Sequence, residues 1–413
     1  MFKLLGSEKN ILKSLLKSKK KNKINSYPLL QDGYSDEDLI KGIEVLLSGQ
    51  ITMSELTKKF ENEFAEYIGS KYAVMTNSGS SANLLASFTL INPKKKNHLK
   101  TGNNFLIPAL CWPTSLWPLV QCGLNPIFTD VNINNFCIDE DYLTKNLLNK
   151  IKAIVVIHVL GNSPNINLIA KIAKKKNIYL IEDTCEALGS KYNSRHLGTF
   201  GDFGTYSFYY SHQITSGEGG MVVCNSKEDY EILISLRAHG WDRELKKKNN
   251  KSFNFINSGF NLRPTDIAAA IGLNQFRRLN HLKKIRNFNR DLIINSLKKS
   301  QQWNFNYDFF LENKNTEASW FGLPLMINKS QAWKKNKFMK YLNKNGIETR
   351  PIISGNFFNQ PVIKLYKFDN QNNKFKNSQE IEDRGFFIGL PSKKIEKRTL
   401  DYLVNKLLYI NQI

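Results

Sequence analysis

The sequence has few cysteines and no motif that would pair or cluster them. The cysteines number five, an odd count, and they are widely spaced: Cys111, Cys122, Cys137, Cys185 and Cys224. No CxxC pair or Cys/His cluster occurs, so the spacing predicts neither a disulfide framework nor a metal site. We expect the cysteines to pack as small hydrophobic residues.

The sequence also lacks any apolar run close to the roughly 18 residues that a membrane-spanning helix needs. Residues 1–27 form a basic tail without the apolar block and small-residue cleavage site of a signal peptide. Several leucines and isoleucines of this tail fit one helical face, which favours a docked or frayed helix. We therefore expect no membrane span and a cytoplasmic location.

Arginine is scarce in a chain that is otherwise strongly basic. The formal net charge is +23, from 59 basic and 36 acidic residues, yet only 11 of the basic residues are arginine. Arginine pairs bidentately with guanine, whereas these lysines lie in short scattered tufts. The composition predicts a solvated, lysine-rich surface and no nucleic-acid partner. The excess positive charge would help to attract an anionic substrate.

Short β-rich runs alternate with amphipathic stretches from about residue 70 onwards. This alternation predicts βαβ units and a mainly parallel sheet, and hence the α/β class. After about residue 290 the chain becomes rich in asparagine and lysine, with isolated short apolar runs. We predict a basic tail over 1–27, a large α/β domain over 28–289 and a smaller α+β domain over 290–413.

A glycine- and serine-rich motif, residues 76–83, follows a predicted strand and opens a predicted helix. Small residues at a helix N-terminus expose backbone N–H groups at the positive end of the helix dipole, which suits a phosphate group. An ordinary helix cap at Ser80 or Ser81 explains the same residues. The motif alone leaves both interpretations open.

Three further residues stand at or just after the ends of predicted strands. Asp183 can keep a pyridine nitrogen protonated there, which makes the ring an electron sink. Trp112 can stack on an aromatic ring. Ser207 precedes a glycine-rich turn at residues 217–220. Together with the serine-rich motif, and in this order, these residues fit one ligand, pyridoxal 5′-phosphate (PLP).

These motifs resemble the DegT/DnrJ/EryC1/StrS family of nucleotide-sugar aminotransferases, from about residue 30 to the C-terminus. The matching segments are TNSGSSAN, IPALCW, FTDV, IEDTCEALGS, GTFGDFGTYSFYYSHQITSGEGG, GFNLRPTDIAAAIG and GIETRP. The resemblance implies a type I PLP-dependent fold, like that of aspartate aminotransferase. It also implies a homodimer with active sites at the subunit interface.

The resemblance further implies roles for individual residues of the cofactor site. Ser80, Ser81 and Ser207 would bind the phosphate, and Asn261 would reach in from the second subunit. Trp112 would stack on the cofactor ring, and Asp183 would pair with the ring nitrogen.

The segment after Ser207 departs from the aminotransferases of this family. Those enzymes carry a lysine five residues after the serine, where it holds the cofactor covalently. His212 occupies that position, and no lysine lies between Lys191 and Lys227. A histidine cannot hold the cofactor in that way, but it can act as a general base near neutral pH. The second departure is Glu186, a predicted cofactor contact where the aminotransferases usually carry glutamine.

Histidine in place of lysine resembles the sugar 3-dehydratase branch of the family. The resemblance implies loss of the C3 hydroxyl from a nucleotide-linked 4-keto-6-deoxy sugar, with L-glutamate as amino donor and His212 as the catalytic residue. The cofactor would alternate between PLP and pyridoxamine 5′-phosphate, in the synthesis of deoxysugars for lipopolysaccharide O-antigen. Relatives that act on CDP-sugars add an iron–sulfur cluster held by cysteines downstream of the histidine. Because no cysteine follows Cys224, we expect no such cluster here.

Three other interpretations stay open. The chain could be an aminotransferase with a displaced lysine, a relative of the CDP-sugar enzymes without the cluster, or a catalytically dead PLP-binding module. Arg237, His239 and Arg350 are candidate substrate contacts, and each could equally be a structural hydrogen-bonding residue. The residue types do not identify the nucleotide or the sugar.

Overall fold

The computed structural model describes residues 3–19, 26–31, 33–245, 252–310, 312–366, 368 and 374–413. The α-helices of these residues are α1 Gly6–Lys19, α2 Asp36–Ser48, α3 Glu55–Ile68, α4 Gly79–Leu90, α5 Pro113–Gln121, α6 Lys145–Leu148, α7 Ile166–Lys176, α8 Lys227–Arg237, α9 Asp266–Phe276, α10 Leu279–Lys299, α11 Lys335–Lys344, α12 Lys376–Arg384 and α13 Lys397–Leu408. The strands are β1 Tyr72–Thr76, β2 Asn104–Pro108, β3 Asn125–Thr129, β4 Ile151–Ile157, β5 Tyr179–Asp183, β6 Lys191–Tyr192, β7 Arg195–His196, β8 Phe203–Ser207, β9 Gly220–Cys224, β10 Tyr307–Asp308, β11 Thr316–Glu317, β12 Gly322–Ile327, β13 Thr349–Arg350 and β14 Gly385–Gly389.

The central sheet has the strand order β1-β9-β8-β5-β4-β2-β3. Strand β9 runs antiparallel to both of its neighbours, and the other strands of this sheet run in one direction. The sheet is therefore mainly parallel, which confirms the predicted α/β class. Because strands of one direction end at one edge, the carboxyl ends of β1, β2, β5 and β8 lie together there.

Both faces of the central sheet are buried. In β4, Ala153 and Val155 belong to one hydrophobic cluster, while Ile154 and Val156 belong to another. Helices cover a parallel sheet on both sides, so its strands are continuous apolar runs rather than alternating ones. This explains why the strands of this region are recognisable in the sequence.

A second, antiparallel sheet of order β10-β12-β14-β13 forms the core of the C-terminal part. All residues of β12 and β14 are buried. This arrangement agrees with the predicted α+β character of the C-terminal part. Helix α10 continues through residue 289, so the proposed division of the chain at that residue stays a prediction.

Helix α1 in the basic tail is docked on α2. The backbone N–H of Leu4 donates a hydrogen bond to Oε1 of Glu44 at 3.2 Å, and Nζ of Lys9 lies 3.3 Å from the same carboxylate. Residues 20–25 of the tail lie outside the described residues. Within the described part of the chain, no helix is long and apolar enough to cross a membrane.

Candidate active site

A cavity of about 830 Å³ opens at the carboxyl edge of the central sheet and extends to the C-terminal part. The predicted site residues that line it are Ser80, Trp112, Asp183, Glu186, Ser207, His212 and Arg350. These residues come from widely separated segments. The shared strand direction brings together those at the ends of β2, β5 and β8, whereas Arg350 comes from β13 of the second sheet.

The start of α4 forms one end of this cavity. Ser78, rather than Ser80 or Ser81, caps the helix: its side chain accepts the backbone N–H of Ser81 at 3.1 Å. Ser81 is buried and its hydroxyl donates to Oδ1 of Asn77 at 2.5 Å, whereas Ser80 is exposed and lines the cavity. The N-cap residue therefore lies two residues before Ser80, the first of the serines that the sequence predicts to bind phosphate.

Gly79 allows the first turn of α4 to lie against the end of β8. A Cβ atom on Gly79 would be 2.5 Å from Cβ of Ser207, closer than non-bonded carbon atoms approach. The Ser207 hydroxyl and the first N–H groups of α4 therefore border the same space. Backbone N–H groups at a helix N-terminus together with serine hydroxyls suit a phosphate group.

Asp183 is the last residue of β5 and is almost fully buried. Its Oδ2 accepts hydrogen bonds from Nδ2 of Asn83 at 3.0 Å and from the Ser115 hydroxyl at 2.6 Å. Its Oδ1 accepts the backbone N–H of Cys185 at 3.2 Å. Thr205 in turn donates to Oδ1 of Asn83 at 2.7 Å and fixes its amide orientation. These bonds hold one carboxylate in a single orientation at the floor of the cavity.

Glu186 lines the cavity near Asp183. Its carboxylate accepts the backbone N–H of Leu160 at 2.9 Å. Burial raises the pKa of Glu186 to about 8, and the charge of Asp183 adds to this effect, while the Leu160 bond opposes it. Glu186 is therefore mainly a neutral carboxylic acid at neutral pH, able to donate a hydrogen bond into the cavity.

Trp112 stands at the mouth of the cavity, immediately before the first residue of α5. The proline at that first position fixes the start of the helix, and Trp112 occupies the N-cap position. The side chain is 54% exposed although it borders an otherwise apolar wall. An aromatic face left uncovered at a cavity mouth can stack on a planar ring.

His212 lies in the segment between β8 and β9 and borders the same cavity. The ring of Phe321 meets the imidazole edge-on, with 5.0 Å between the ring centroids, and Tyr209 lies 6.0 Å away in the same relation. The Nδ1 atom is buried without a hydrogen-bond partner among the described residues. Burial first, and then the charge of Arg286, lower the pKa of His212 to about 3. The imidazole is therefore neutral at physiological pH, the form that a general base requires.

No lysine is among the described residues that line this cavity. The predicted alternative of an aminotransferase with a displaced lysine therefore has no residue in the described cavity to support it. The basic side chains that line the cavity are instead Arg350 and His212. Arg350 is the last residue of β13, and its Nη2 donates to Oε1 of Glu348 at 2.5 Å.

Arg237 does not line the cavity. It is 1% exposed, and its guanidinium donates to Oε1 of Glu61 at 2.5 Å and to Oε2 of Glu244 at 2.9 Å. A third bond reaches the carbonyl of Met75 at 2.8 Å. Arg237 thus ties α8 to α3 and β1, which gives it a structural role in place of the predicted substrate contact.

His239 and Asn261 are exposed and lie outside the cavity of the single chain. The backbone N–H of His239 donates to the carbonyl of Phe260 at 2.7 Å, so the two residues occupy adjoining segments. His239 has a positive φ of 62°. The substrate contact predicted for His239 and the cofactor contact predicted for Asn261 stay predictions.

Asn83 and Ser115, which orient Asp183, are not predicted by the sequence motifs. Asn83 closes the serine-rich motif, and its position directly after the candidate phosphate-binding turn is the one available signal. Ser115 lies in the first turn of α5 and carried no signal of its own. Both act by hydrogen bonds to a residue far away in the chain, which sequence patterns do not reveal.

The residues of the cavity fit PLP on their own geometry. A helix N-terminus with serine hydroxyls suits its phosphate, an oriented buried carboxylate suits its ring nitrogen, and an uncovered indole suits its ring. The fold and the site together define a type I PLP-dependent enzyme, as the sequence predicted.

The chain belongs to the DegT/DnrJ/EryC1/StrS aminotransferase family, whose sequence model matches residues 34–408. It is 37% identical over 376 residues to GDP-4-keto-6-deoxy-D-mannose 3-dehydratase of Escherichia coli O55:H7, covering 88% of this chain and 95% of that protein. Two solved structures of GDP-4-keto-6-deoxymannose-3-dehydratase, each 36% identical, superpose with a TM-score of 0.85 and cover 92% of this chain and 100% of theirs. One is a histidine-to-asparagine mutant with bound GDP-perosamine, and the other has a trapped PLP–glutamate geminal diamine.

Proposed function

We propose that this chain is a PLP-dependent 3-dehydratase that removes the C3 hydroxyl of GDP-4-keto-6-deoxy-D-mannose with L-glutamate as the amino donor. The observation that carries the proposal is His212, which borders the cavity at the position of the aminotransferase lysine. The similarity to the enzymes named above supports GDP as the nucleotide and mannose as the parent sugar.

The described residues would hold the cofactor without a covalent bond. The first N–H groups of α4 and the hydroxyls of Ser80 and Ser207 bind its phosphate, Trp112 packs on its ring, and Asp183 keeps its ring nitrogen protonated. A bound PLP would supply a carrier for the amino group of glutamate, which hydrolysis finally releases from the sugar as ammonia, and a ring that stabilises the negative charge left by proton removal.

His212 moves the protons in the proposed reaction. With the cofactor bound, the neutral imidazole would accept the proton removed at C4′, and the resulting imidazolium would donate a proton to the C3 hydroxyl, which leaves as water. The rings of Tyr209 and Phe321 stand edge-on to the imidazole and pack beside it.

The decisive experiment is incubation of the purified protein with PLP, L-glutamate and GDP-4-keto-6-deoxy-D-mannose, followed by mass spectrometry of the products. We expect a 3-deoxy product and 2-oxoglutarate with the wild type. We expect no 3-deoxy product with His212→Asn, because asparagine resembles imidazole in size but accepts no proton at neutral pH. Gain of an amino group without loss of the hydroxyl would instead identify an aminotransferase.

The mode of cofactor binding gives an independent test. Without a lysine at the cavity, borohydride treatment of the protein with PLP should leave no pyridoxyl group on any peptide, as read by peptide mass mapping. A stable pyridoxyl-lysine adduct on an active-site peptide would contradict the proposed role of His212.

The active enzyme is, in this proposal, a homodimer with shared sites. The support comes from Asn261, which the family resemblance assigns to the cofactor phosphate but which lies outside the cavity of its own chain. A second copy of the chain would bring this residue to the neighbouring cavity. The cytoplasmic location remains a prediction from the sequence.

A further inference from the structure

Arg286, in α10, is a buried guanidinium without an ionic partner. It is 2% exposed, and its Nε has no hydrogen-bond partner among the described residues. No ion pair of Arg286 occurs within the described part of the chain, whereas Arg290, one turn further along α10, pairs with Asp291 at 2.9 Å. A buried charge without a counter-ion is costly, so its surroundings indicate what it does.

The surroundings of Arg286 are the catalytic segment. Its Nη2 donates a hydrogen bond to the backbone carbonyl of His212 at 3.0 Å, and its Nη1 lies 3.5 Å from the carbonyl of Phe321. Phe321 is the residue whose ring meets the imidazole edge-on. One guanidinium therefore connects the segment that carries His212 to Phe321, the residue immediately before β12, which carries the neighbouring aromatic ring.

Gln213, the next residue of the same segment, is also held by side-chain hydrogen bonds. Nε2 of Gln213 donates to the carbonyl of Glu186 at 2.5 Å and to the carbonyl of Ser319 at 3.1 Å. Gln213 thus secures the backbone of this segment without any charge. Arg286 adds something that Gln213 does not, a positive charge beside the imidazole.

We propose that Arg286 is a positioning residue for His212: its buried guanidinium, hydrogen-bonded to the His212 carbonyl, fixes the segment that carries the imidazole and places a positive charge next to it. This inference rests on the proposed function. The imidazole then enters the reaction as a free base, and its imidazolium is a stronger acid when the C3 hydroxyl leaves. Burial lowers the pKa of Arg286 to about 10, so the guanidinium stays charged at neutral pH.

Other charged and titratable groups also face His212 across two cavities. The active-site cavity contributes Asp183, Cys185, Glu186, Tyr209, Glu218 and Arg350. A second cavity of about 340 Å³, which both His212 and Arg286 line, contributes Tyr34, Asp36, Arg278, His281 and Lys393. Among the charged side chains, Arg286 alone is hydrogen-bonded to the His212 backbone in the described structure, so it is the one to vary.

The test follows the protonation of His212 by NMR in protein labelled at Cε1 of histidine. The chain has six histidines, and the signal of His212 is identified by its absence in His212→Asn. Arg286→Gln keeps a donor for the His212 carbonyl and removes the charge, so we expect the titration of His212 to move up by about one pH unit. Arg286→Lys keeps the charge and should titrate like the wild type.

Arg290→Gln is the matched control, because it removes a buried arginine one turn away on the same helix and should leave the His212 signal unchanged. In the dehydration assay, Arg286→Gln should lower kcat about 3-fold at unchanged KM for the sugar, since an imidazolium that is weaker by one pKa unit slows departure of the hydroxyl. Arg286→Lys should recover most of this loss.

The same pH response of His212 in the wild type and in Arg286→Gln would overturn the inference. If Arg286→Gln does not fold, Arg286→Lys provides the test. A His212 titration that moves up by about one pH unit in Arg286→Lys, although the charge is kept, would also overturn the inference. Failure of the proposed function is distinguishable, because the NMR titration needs no sugar: a shifted His212 signal without any dehydration would refute the reaction and retain the contact.

Discussion

Asp183 illustrates how neighbouring side chains fix one carboxylate in the candidate active site. Its two oxygens accept three hydrogen bonds, from Asn83, Ser115 and the backbone of Cys185. Because these donors do not depend on a ligand, the carboxylate is oriented before a cofactor binds. Such preorganised charges contribute strongly to catalysis, since they need not reorganise during the reaction.

Replacing Asp183 by asparagine should abolish most of the activity without unfolding the protein. The amide keeps an oxygen that accepts from Ser115 or Asn83 but cannot hold a proton on the cofactor nitrogen. We expect kcat to fall about 100-fold or more, measured by chromatography of the sugar products. The control is the thermal melting curve, which should stay close to that of the wild type. Near-normal turnover would show that another group protonates the ring nitrogen.

Glu186 gives a prediction about stability and pH. The folded protein keeps the proton of this carboxyl up to about pH 8, whereas the unfolded chain loses it near the ordinary pKa of 4.5. Stability therefore falls as the pH rises between these two values and is constant above them. Glu186→Gln has no such ionisation, so its melting temperature should exceed that of the wild type more at pH 8.5 than at pH 5. Equal differences at both pH values would mean that the carboxyl ionises normally in the folded state.

Among the secondary-structure elements, α4 and β8 approach each other closely at the candidate phosphate site. The helix approaches the strand at Gly79, where any side chain would overlap Ser207. The register of the sheet supports this contact, because Gly220 of β9 lies between Thr76 of β1 and Ser207 of β8. The hydroxyl-bearing ends of β1 and β8 are therefore held at a fixed spacing.

Gly79→Ala should weaken both the fold and cofactor binding. The added methyl group forces α4 away from Ser207, and overpacking of this kind costs about 1–3 kcal/mol of the free energy of unfolding. Thermal melting and a PLP titration followed by absorbance measure the two effects. Gly6→Ala is the control, since no atom lies within 4 Å of the added Cβ and α1 is remote from the cavity. Unchanged PLP affinity in Gly79→Ala would separate this turn from the phosphate site.

Sequence patterns predict the strands of the central sheet well, because these strands are buried on both faces. Strands such as β1 and β5 are buried on both faces, so they are compact apolar runs, and the site residues follow directly from where those runs end. Asp183 and Trp112 can therefore be placed at the sheet edge by their positions in the sequence alone. The first residue of α4 does not follow from the sequence alone, because Ser78, Ser80 and Ser81 are all good capping residues.

The parts of the site that escaped prediction depend on contacts between distant segments. Arg237 stands next to plausible substrate contacts in the sequence, yet its guanidinium turns inward to Glu61 and Glu244. Arg286 lies in α10, a long amphipathic helix with many basic residues. Only the packing of α10 on the His212 segment distinguishes Arg286 from the solvent-exposed basic residues of this helix. No local pattern distinguishes these roles.

For the molecule as a whole, the proposed homodimer makes a prediction about mixed subunits. His212→Asn and Asn261→Asp should each be inactive alone, the second because a carboxylate repels the cofactor phosphate. If sites are shared, hybrid dimers contain one site with both native residues, so unfolding and refolding an equal mixture should restore about one quarter of the wild-type activity. Sedimentation should give twice the chain mass of 47.5 kDa.

The control for this experiment is a mixture of His212→Asn with Asp183→Asn, two residues of the same cavity. Hybrids of that pair have a defect in each site and should remain inactive. If the His212→Asn and Asn261→Asp mixture also stayed inactive while forming dimers, Asn261 would act within its own subunit or not at all.

The position of β9 in the sheet also determines the order in which the molecule can assemble. Strand β1 has β9 as its one neighbour in the central sheet of the described residues, and β9 follows every other strand of that sheet in the chain. During synthesis from the N-terminus, β2, β3, β4 and β5 can pair with one another while β1 still waits for a partner. The sheet edge at the candidate phosphate site is consequently the last part of this sheet to close. We therefore expect a ribosome-bound chain to take up its cofactor only after the sequence through Cys224 has emerged.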